Sequence, residues 1–310
     1  MYLRTLLVSL LQVAALVMVG FFVARKGLIT KDGFDQISGF LLKVVFPCAI
    51  IMSGNVEYKE EIWQNIKQVL VAGTAYFAVS LLLCWLLFKI PGIVSKDHRG
   101  QAVMAGSFSN AGFIGFPIVT AMYGTEGLLY AMIFNIVFNV FFYAASALFL
   151  QPAGTHLKFK DMANPLTVTA LLALVLFLLP WRIPGEVGFV LNTIGDVMTP
   201  MTLILIGSWM VGVNWKRVFT NIQGYAVVFV RLIAVPMLTM LALKLLGIPY
   251  TMAMAVCVLT VALPVGSMTV MMSRQYGCDV AFANETMILS MILCIPTVFA
   301  VMQIANSVFV

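Results

Sequence analysis

Asn135, Asn139 and Tyr143 recur at four-residue steps inside one apolar run, and Asn110 sits inside the run before it. Four-residue spacing puts the first three on one face of a helix. Amide and phenol groups there could line the route of a polar solute, or they could hydrogen-bond a neighbouring helix. Ser107 and Ser109 extend the polar surface next to Asn110. Four ionisable residues, Lys43, Asp196, Arg231 and Glu285, also fall within apolar runs. A charge at the centre of a bilayer costs about 2.5 to 3.5 kcal/mol on insertion scales, so unpaired ones are not expected to be idle. Lys43 and Asp196 each precede a proline by four residues, in KVVFP and DVMTP, and their opposite signs invite a pair. Such a pair could be a structural tie or part of a transport cycle. Glu285 could carry a coupling proton or simply neutralise Arg231.

A second chemistry to weigh is nucleophilic. The segment GSFS offers Ser107 and Ser109, but a serine nucleophile needs a base within hydrogen-bond reach. The two histidines, His98 and His156, fall in polar loops, which leaves Lys43 as a formal base for an intramembrane hydrolase. The five cysteines, Cys48, Cys84, Cys257, Cys278 and Cys294, show no C-x-x-C spacing. Neither a disulfide framework nor a zinc site is therefore expected. The expectation is a protein without metal or organic cofactor that is not an enzyme.

These residues need elements that can hold them in lipid. Of 310 residues, 62% are hydrophobic and 10% charged, against about 25% charged in soluble domains. A run of about 20 apolar residues spans a bilayer as a helix. Ten such runs are visible, at 4–24, 34–54, 64–89, 99–123, 127–150, 163–180, 187–212, 218–246, 250–274 and 280–308. The first is followed at once by Arg25 and Lys26 and has no small-residue cleavage site, so it reads as a retained helix. Eleven Lys and Arg fall in one set of loops and five in the other. The richer side should be cytoplasmic, with both termini outside. The net charge of +6 then reads as a topology signal, and a nucleic-acid partner is not expected, because no basic segment stands clear of the bilayer.

The halves of the chain echo each other. A shift of 153 residues carries Pro47 onto Pro200, Lys43 onto Asp196 and Tyr123-Gly124 onto Tyr276-Gly277, while a shift of 155 aligns KIPGI with KLLGI. Two five-span halves follow, residues 1–151 and 163–310, joined by a polar loop at 152–162. Five is odd, so the second half enters the membrane the other way up, the inverted-repeat plan of alternating-access carriers. Span 4 carries Gly112, Gly115 and Pro117; span 9 carries Pro264 and Gly266. Proline removes an intrahelical hydrogen bond and glycine loosens the helix around it. Freed backbone groups survive in hydrocarbon only where protein or a wet cavity covers them. Breaks in corresponding spans predict a crossing whose half-helix N-termini, each about half an elementary charge, would suit a carboxylate.

The pattern N-x-x-x-x-G-x-P followed by M-Y-G is carried by Asn110, Gly115, Pro117 and Met122-Tyr123-Gly124. With it come LPVG at 263–266, Tyr276 twelve residues beyond Pro264, Gly207 eleven after Asp196, and Pro236 five after Arg231. In combination these landmarks resemble the auxin efflux carrier family, whose bacterial members are distant relatives of the plant PIN-FORMED auxin carriers. The resemblance implies an all-α integral membrane protein of ten transmembrane helices, two five-helix inverted repeats with broken helices 4 and 9 crossing. Bile-acid symporters and sodium/proton antiporters are related architectures. It also implies a scaffold from helices 1, 2, 6 and 7 and a transport domain from helices 3–5 and 8–10, with elevator-like secondary transport of a small organic anion. In the plant relatives an asparagine at the position of Asn110 contacts substrate, and polar residues matching Asn139 and Tyr143 line the site. The long cytoplasmic loop of the plant carriers is absent, and Lys43 and Glu285 have no counterpart in the plant pattern. Bacterial members are associated with dicarboxylates such as malonate or malate.

The expectation is therefore a multi-pass carrier in a bacterial cytoplasmic membrane, embedded in lipid, for a mono- or dicarboxylate. Asn110, Ser109, Asn135, Asn139 and Tyr143 are its candidate ligands. Coupling to protons, to sodium or to neither stays open, as does a homodimer. The alternative within the same architecture is a sodium-coupled, bile-acid-type symporter with Glu285 or Asp196 in an ion site. A channel lacks any filter-like sequence.

Overall fold

The computed structural model describes residues 2–150 and 165–309, without the side chains of residues 2–10 and Lys31; the expected connecting loop at 152–162 lies outside the described residues. Within them the regular elements are helices, and one isolated β-bridge is present. In chain order the helices are α1 (Tyr2–Arg25), α2 (Lys31–Phe40), α3 (Phe46–Gly54), α4 (Glu60–Leu87), α5 (Arg99–Ser107), α6 (Phe116–Phe149), α7 (Pro165–Leu178), α8 (Gly185–Gly195), α9 (Met198–Ser208), α10 (Trp215–Thr220), α11 (Ile222–Phe229), α12 (Val235–Leu245), α13 (Met252–Ala262), α14 (Ser267–Gln275) and α15 (Val280–Phe309).

Among the described residues six helical stretches are long and apolar enough to cross a membrane: Asp32–Gly54, Glu60–Leu87, Ala111–Phe149, Gly185–Ser208, Ile222–Leu245 and Val280–Phe309. Leu11–Arg25, α7 and α13 are apolar but shorter. The difference from ten runs has local causes. Span 4 is interrupted at Phe108–Asn110, which leaves α5 nine residues long. Span 9 is interrupted at Leu263–Gly266, between α13 and α14. The stretch Ala111–Phe149 holds 39 residues, about 58 Å at 1.5 Å per residue. Inside it Gly124, at φ 66 and ψ −158, kinks the chain in a conformation that a side chain would resist.

The interruption in span 4 is not where its prolines and glycines pointed. Gly112, Gly115 and Pro117 lie in continuous helix, because the turn ahead of the proline is widened. Three π-helical turns behave alike: Leu41–Val45 precedes Phe46-Pro47, Ala111–Gly115 precedes Phe116-Pro117, and Val230–Ala234 precedes Val235-Pro236. Proline has no N–H to give, and its ring presses on the carbonyl four residues back. One extra residue in that turn relieves the clash. Pro200 instead stands in the first turn of α9, just after the interruption at Asp196 and Val197, where the N–H groups have no intrahelical partner in any case.

Packing divides the chain into two units. The first joins Met1–Val69, Gly112–Ile136 and Ala163–Val213; the second joins Leu70–Ala111, Val137–Met162 and Asn214–Val310. In the first, α1 packs on α9, and α3 packs on α7 and α8. Backbone meets backbone there. A Cβ on Gly20 would collide with the Ile204 carbonyl, one on Gly207 with the Val17 carbonyl, and one on Gly54 with the Ala173 carbonyl. Small residues allow this closeness, which matters in lipid because van der Waals packing carries much of helix association there. The 153-residue shift takes Gly54 to Gly207 and Gly20 to Ala173, so α3·α7 and α9·α1 meet at corresponding positions.

In the second unit an aromatic cluster holds the end of α5. Phe108 stacks on Phe77 of α4 at 5.4 Å and meets Phe138 and Phe142 of α6 edge-on at 5.3 and 5.0 Å. Such pairs contribute about 0.5–1.5 kcal/mol each beyond burial. They seat Phe108 in extended backbone, φ −112 and ψ 116, where α5 stops.

Candidate functional site

After α5 and α13 end, the two following segments run antiparallel past each other, with Ser109 bridged to Val265. The Asn110 N–H donates to the Pro264 carbonyl at 2.8 Å, and the Gly266 N–H donates to the Phe108 carbonyl at 3.0 Å. The Val265 N–H donates to Ser290 Oγ of α15 at 3.0 Å, and the Ser290 hydroxyl donates to the Met287 carbonyl. Backbone groups freed by the interruption are thus satisfied inside protein, as hydrocarbon demands. Pro264 is tolerated because its missing N–H falls in extended chain. Gly266 is set by distance: a Cβ there would lie 2.9 Å from the Ser109 carbonyl oxygen.

Ser109 is buried and Asn110 is 3% exposed. The Asn110 backbone is engaged, yet its side-chain Nδ2 has no hydrogen-bond partner among the described residues. A buried donor left in that state costs about 1–3 kcal/mol, which an acceptor on a ligand would recover. Helical chain resumes at Ala111 on one side and Ser267 on the other, so both continuations leave the crossing N–H groups first.

Arg231 serves the opposite ends. It is 0% exposed, and its guanidinium donates to the carbonyls of Leu263 (3.1 Å), Gly106 (3.1 Å) and Val261 and to the Tyr76 hydroxyl (2.9 Å). Tyr76 donates in turn to the Ser107 carbonyl at 2.9 Å. Glu285 does not neutralise Arg231. It lies 3.3 Å from Arg217 and 3.2 Å from Asn221, five residues before Ser290 on α15 and so about 7.5 Å further along the helix.

Lys43 and Asp196 do not pair; among the described residues the ion pairs are His98–Asp279 and Arg217–Glu285. Both stand in irregular turns, the π-helical Leu41–Val45 and the interruption after α8, and both side chains are exposed. Asn139 and Tyr143 are buried, engaged by neighbours, and belong to the same unit as the crossing. Their sequence neighbours Phe138 and Phe142 are the residues that grip Phe108. Asn135 is also buried but packs with the first unit, as do Gly112, Gly115 and Pro117. Ser107 stands nine residues after His98, about 13 Å along α5.

His98 is itself occupied. Its Nδ1 lies 3.1 Å from Gln223 Oε1, its Nε2 lies 3.1 Å from Asp279 Oδ2, and its ring stacks on Phe282 at 4.2 Å. Burial pushes the Asp279 carboxyl up, but the N–H groups of Phe282 and Ala281 and the His98 ring outweigh this and hold it below its ordinary range. Sequence reasoning missed this cluster, along with Tyr76 and Ser290. Their partners lie outside any local pattern: Asp279 is 181 residues from His98, Arg231 is 155 from Tyr76, and Val265 is 25 from Ser290.

Two interrupted helices joined through extended backbone, within a multi-spanning helical chain, define a membrane protein built around a discontinuous-helix crossing. The profile of the membrane transport protein family matches residues 5–159 and 153–302, and the chain belongs to that family, the auxin efflux carrier family. An uncharacterized transporter of Methanothermobacter thermautotrophicus is 22% identical over 297 residues, covering 92% of this chain and 93% of the relative. A second uncharacterized transporter, MJ1031 of Methanocaldococcus jannaschii, is 26% identical over 212 residues, covering 64% of this chain and 66% of the relative.

Proposed function

We propose that this transporter is a secondary carrier of a small organic anion, a mono- or dicarboxylate, held at the crossing of the interrupted spans. The observation that carries the reading is Asn110, a buried amide with an unpartnered donor, beside two helix N-termini that favour negative charge. Asn139 and Tyr143 complete the polar lining in this reading, with Ser109 next to Asn110 in the chain. The reaction is alternating access across a bacterial cytoplasmic membrane, and the lysine and arginine bias supports both termini outside.

The architecture in this reading is ten crossings in two inverted repeats. Gly124 and Gly277, related by the 153-residue shift, both adopt left-handed backbone at φ 66 and 70, and Gly92 and Gly247, related by 155, do so at φ 89 and 62. The kink at Gly124 divides a stretch too long for one crossing into two. Spans 1, 2, 6 and 7 form the scaffold, and spans 3–5 and 8–10 move as an elevator. Counterflow of radiolabelled malonate, malate and indole-3-acetate in proteoliposomes tests the reading: the protein should exchange at least one of them, and exchange of none would refute it.

A further inference from the structure

Arg231 is fully buried with no acid paired to it among the described residues, and the carrier reading alone gives no reason for it. We propose that Arg231 is the resident cation of the crossing, neutralising the carbonyl ends of α5 and α13 in place of a bound metal cation, so that anion transport runs without sodium or potassium. This rests on the carrier reading and adds the charge balance of the same site.

Among the described residues Arg231 is the one buried charged side chain, and the ion pairs there involve other residues. Its guanidinium faces oxygen atoms from three elements: the Gly106 carbonyl in the last turn of α5, the Val261 and Leu263 carbonyls at the end of α13, and the Tyr76 hydroxyl of α4. Carbonyls in a last helical turn lack intrahelical partners. Each helix C-terminus carries roughly half a negative elementary charge, so two of them sum to about one, which a single guanidinium balances. Converging carbonyl and hydroxyl oxygens are also what a hard cation takes as ligands. Here a planar group with N–H donors in a fixed fork fills that role instead.

With the carbonyl ends balanced, the N-terminal ends at Ala111 and Ser267 keep an uncompensated positive potential for the anion. The hydrogen bonds of Arg231 run to the carbonyl ends and Tyr76, and Asn110 is not among its partners, so it is a positioning residue that acts through the field of the crossing.

The test is counterflow of radiolabelled malonate, malate and indole-3-acetate by the full chain in proteoliposomes, with sodium, potassium or N-methyl-D-glucamine as the sole added cation. Whichever anion the wild type exchanges should move equally fast in all three. Arg231→Gln should lower the rate roughly tenfold in N-methyl-D-glucamine, and added guanidinium ion should restore much of it. Arg231→Lys should stay slower than the wild type but independent of sodium. A wild type that requires sodium or potassium overturns the proposal and leaves the carrier reading standing. So does a folded Arg231→Gln that transports like the wild type or that no cation rescues. If Arg231→Gln fails to fold, the wild-type cation panel and Arg231→Lys decide. A wild type that exchanges none of the anions overturns both.

Discussion

In the first packing unit helices touch through glycine, and the side chains of Lys43 and Asp196 are exposed; in the second, helices stop within the protein and Arg231 is buried among their loose ends. The first unit gains its stability from dispersion between close backbones. The second buries exposed backbone, an unpaired amide and a full charge, each of which is unfavourable in hydrocarbon unless matched. Matching comes from the Ser109–Val265 bridge, Ser290, Tyr76 and Arg231, and Asn110 Nδ2 is among the buried donors left over. The contrast teaches that tight packing and ligand chemistry occupy different parts of the chain. Substitutions should therefore separate stability from transport.

The largest effect should come from the first unit. Gly207→Val forces a side chain into the Val17 carbonyl and should cost more than about 3 kcal/mol, seen as loss of a monodisperse, cooperatively melting protein in detergent. A normal melt would break the packing half of the comparison. Gly266→Ala comes next. Its Cβ would lie 2.9 Å from the Ser109 carbonyl oxygen, so it should lower stability by about 1–3 kcal/mol and slow transport together, because it parts the bridged segments.

Smaller effects sharpen the comparison. A double-mutant cycle of Lys43→Ala and Asp196→Ala should show coupling below about 0.5 kcal/mol, since the two form no ion pair; strong coupling in thermal melts would contradict that. The smallest effect concerns Asp279. Its folded carboxyl titrates below the ordinary 3.8, so its stabilisation is complete above that value and is lost as pH falls through the lowered one. Asp279→Asn should be the less stable protein above the ordinary value, with the gap in melting temperature closing on acidification. A gap that stays constant with pH would remove the link.

Much of this plan is legible in the chain, and the misses have physical causes. Apolar run length marks the helices, and the punctuation of spans 4 and 9 marks the two interrupted regions. The exact point in span 4 is not legible. Pro117 is absorbed by a widened turn, whereas Phe108, an ordinary apolar residue by sequence, is pulled out of helix by Phe77, Phe138 and Phe142. Arg231 stands out as a charge at depth, but its acceptors are main-chain carbonyls, which no side-chain pattern announces. Glu285 shows the same limit: it pairs with Arg217, a residue that sequence assigned to a loop.

Asn110→Ala tests the central claim most directly. Because Nδ2 bonds nothing among the described residues, removing it takes away the cost of an unsatisfied buried donor and breaks no bond of that nitrogen, so the melting temperature should not fall below that of the wild type. In counterflow with the anion that the wild type exchanges, the account predicts that Asn110→Ala loses most of the exchange. Full exchange by a normally folded Asn110→Ala would contradict it.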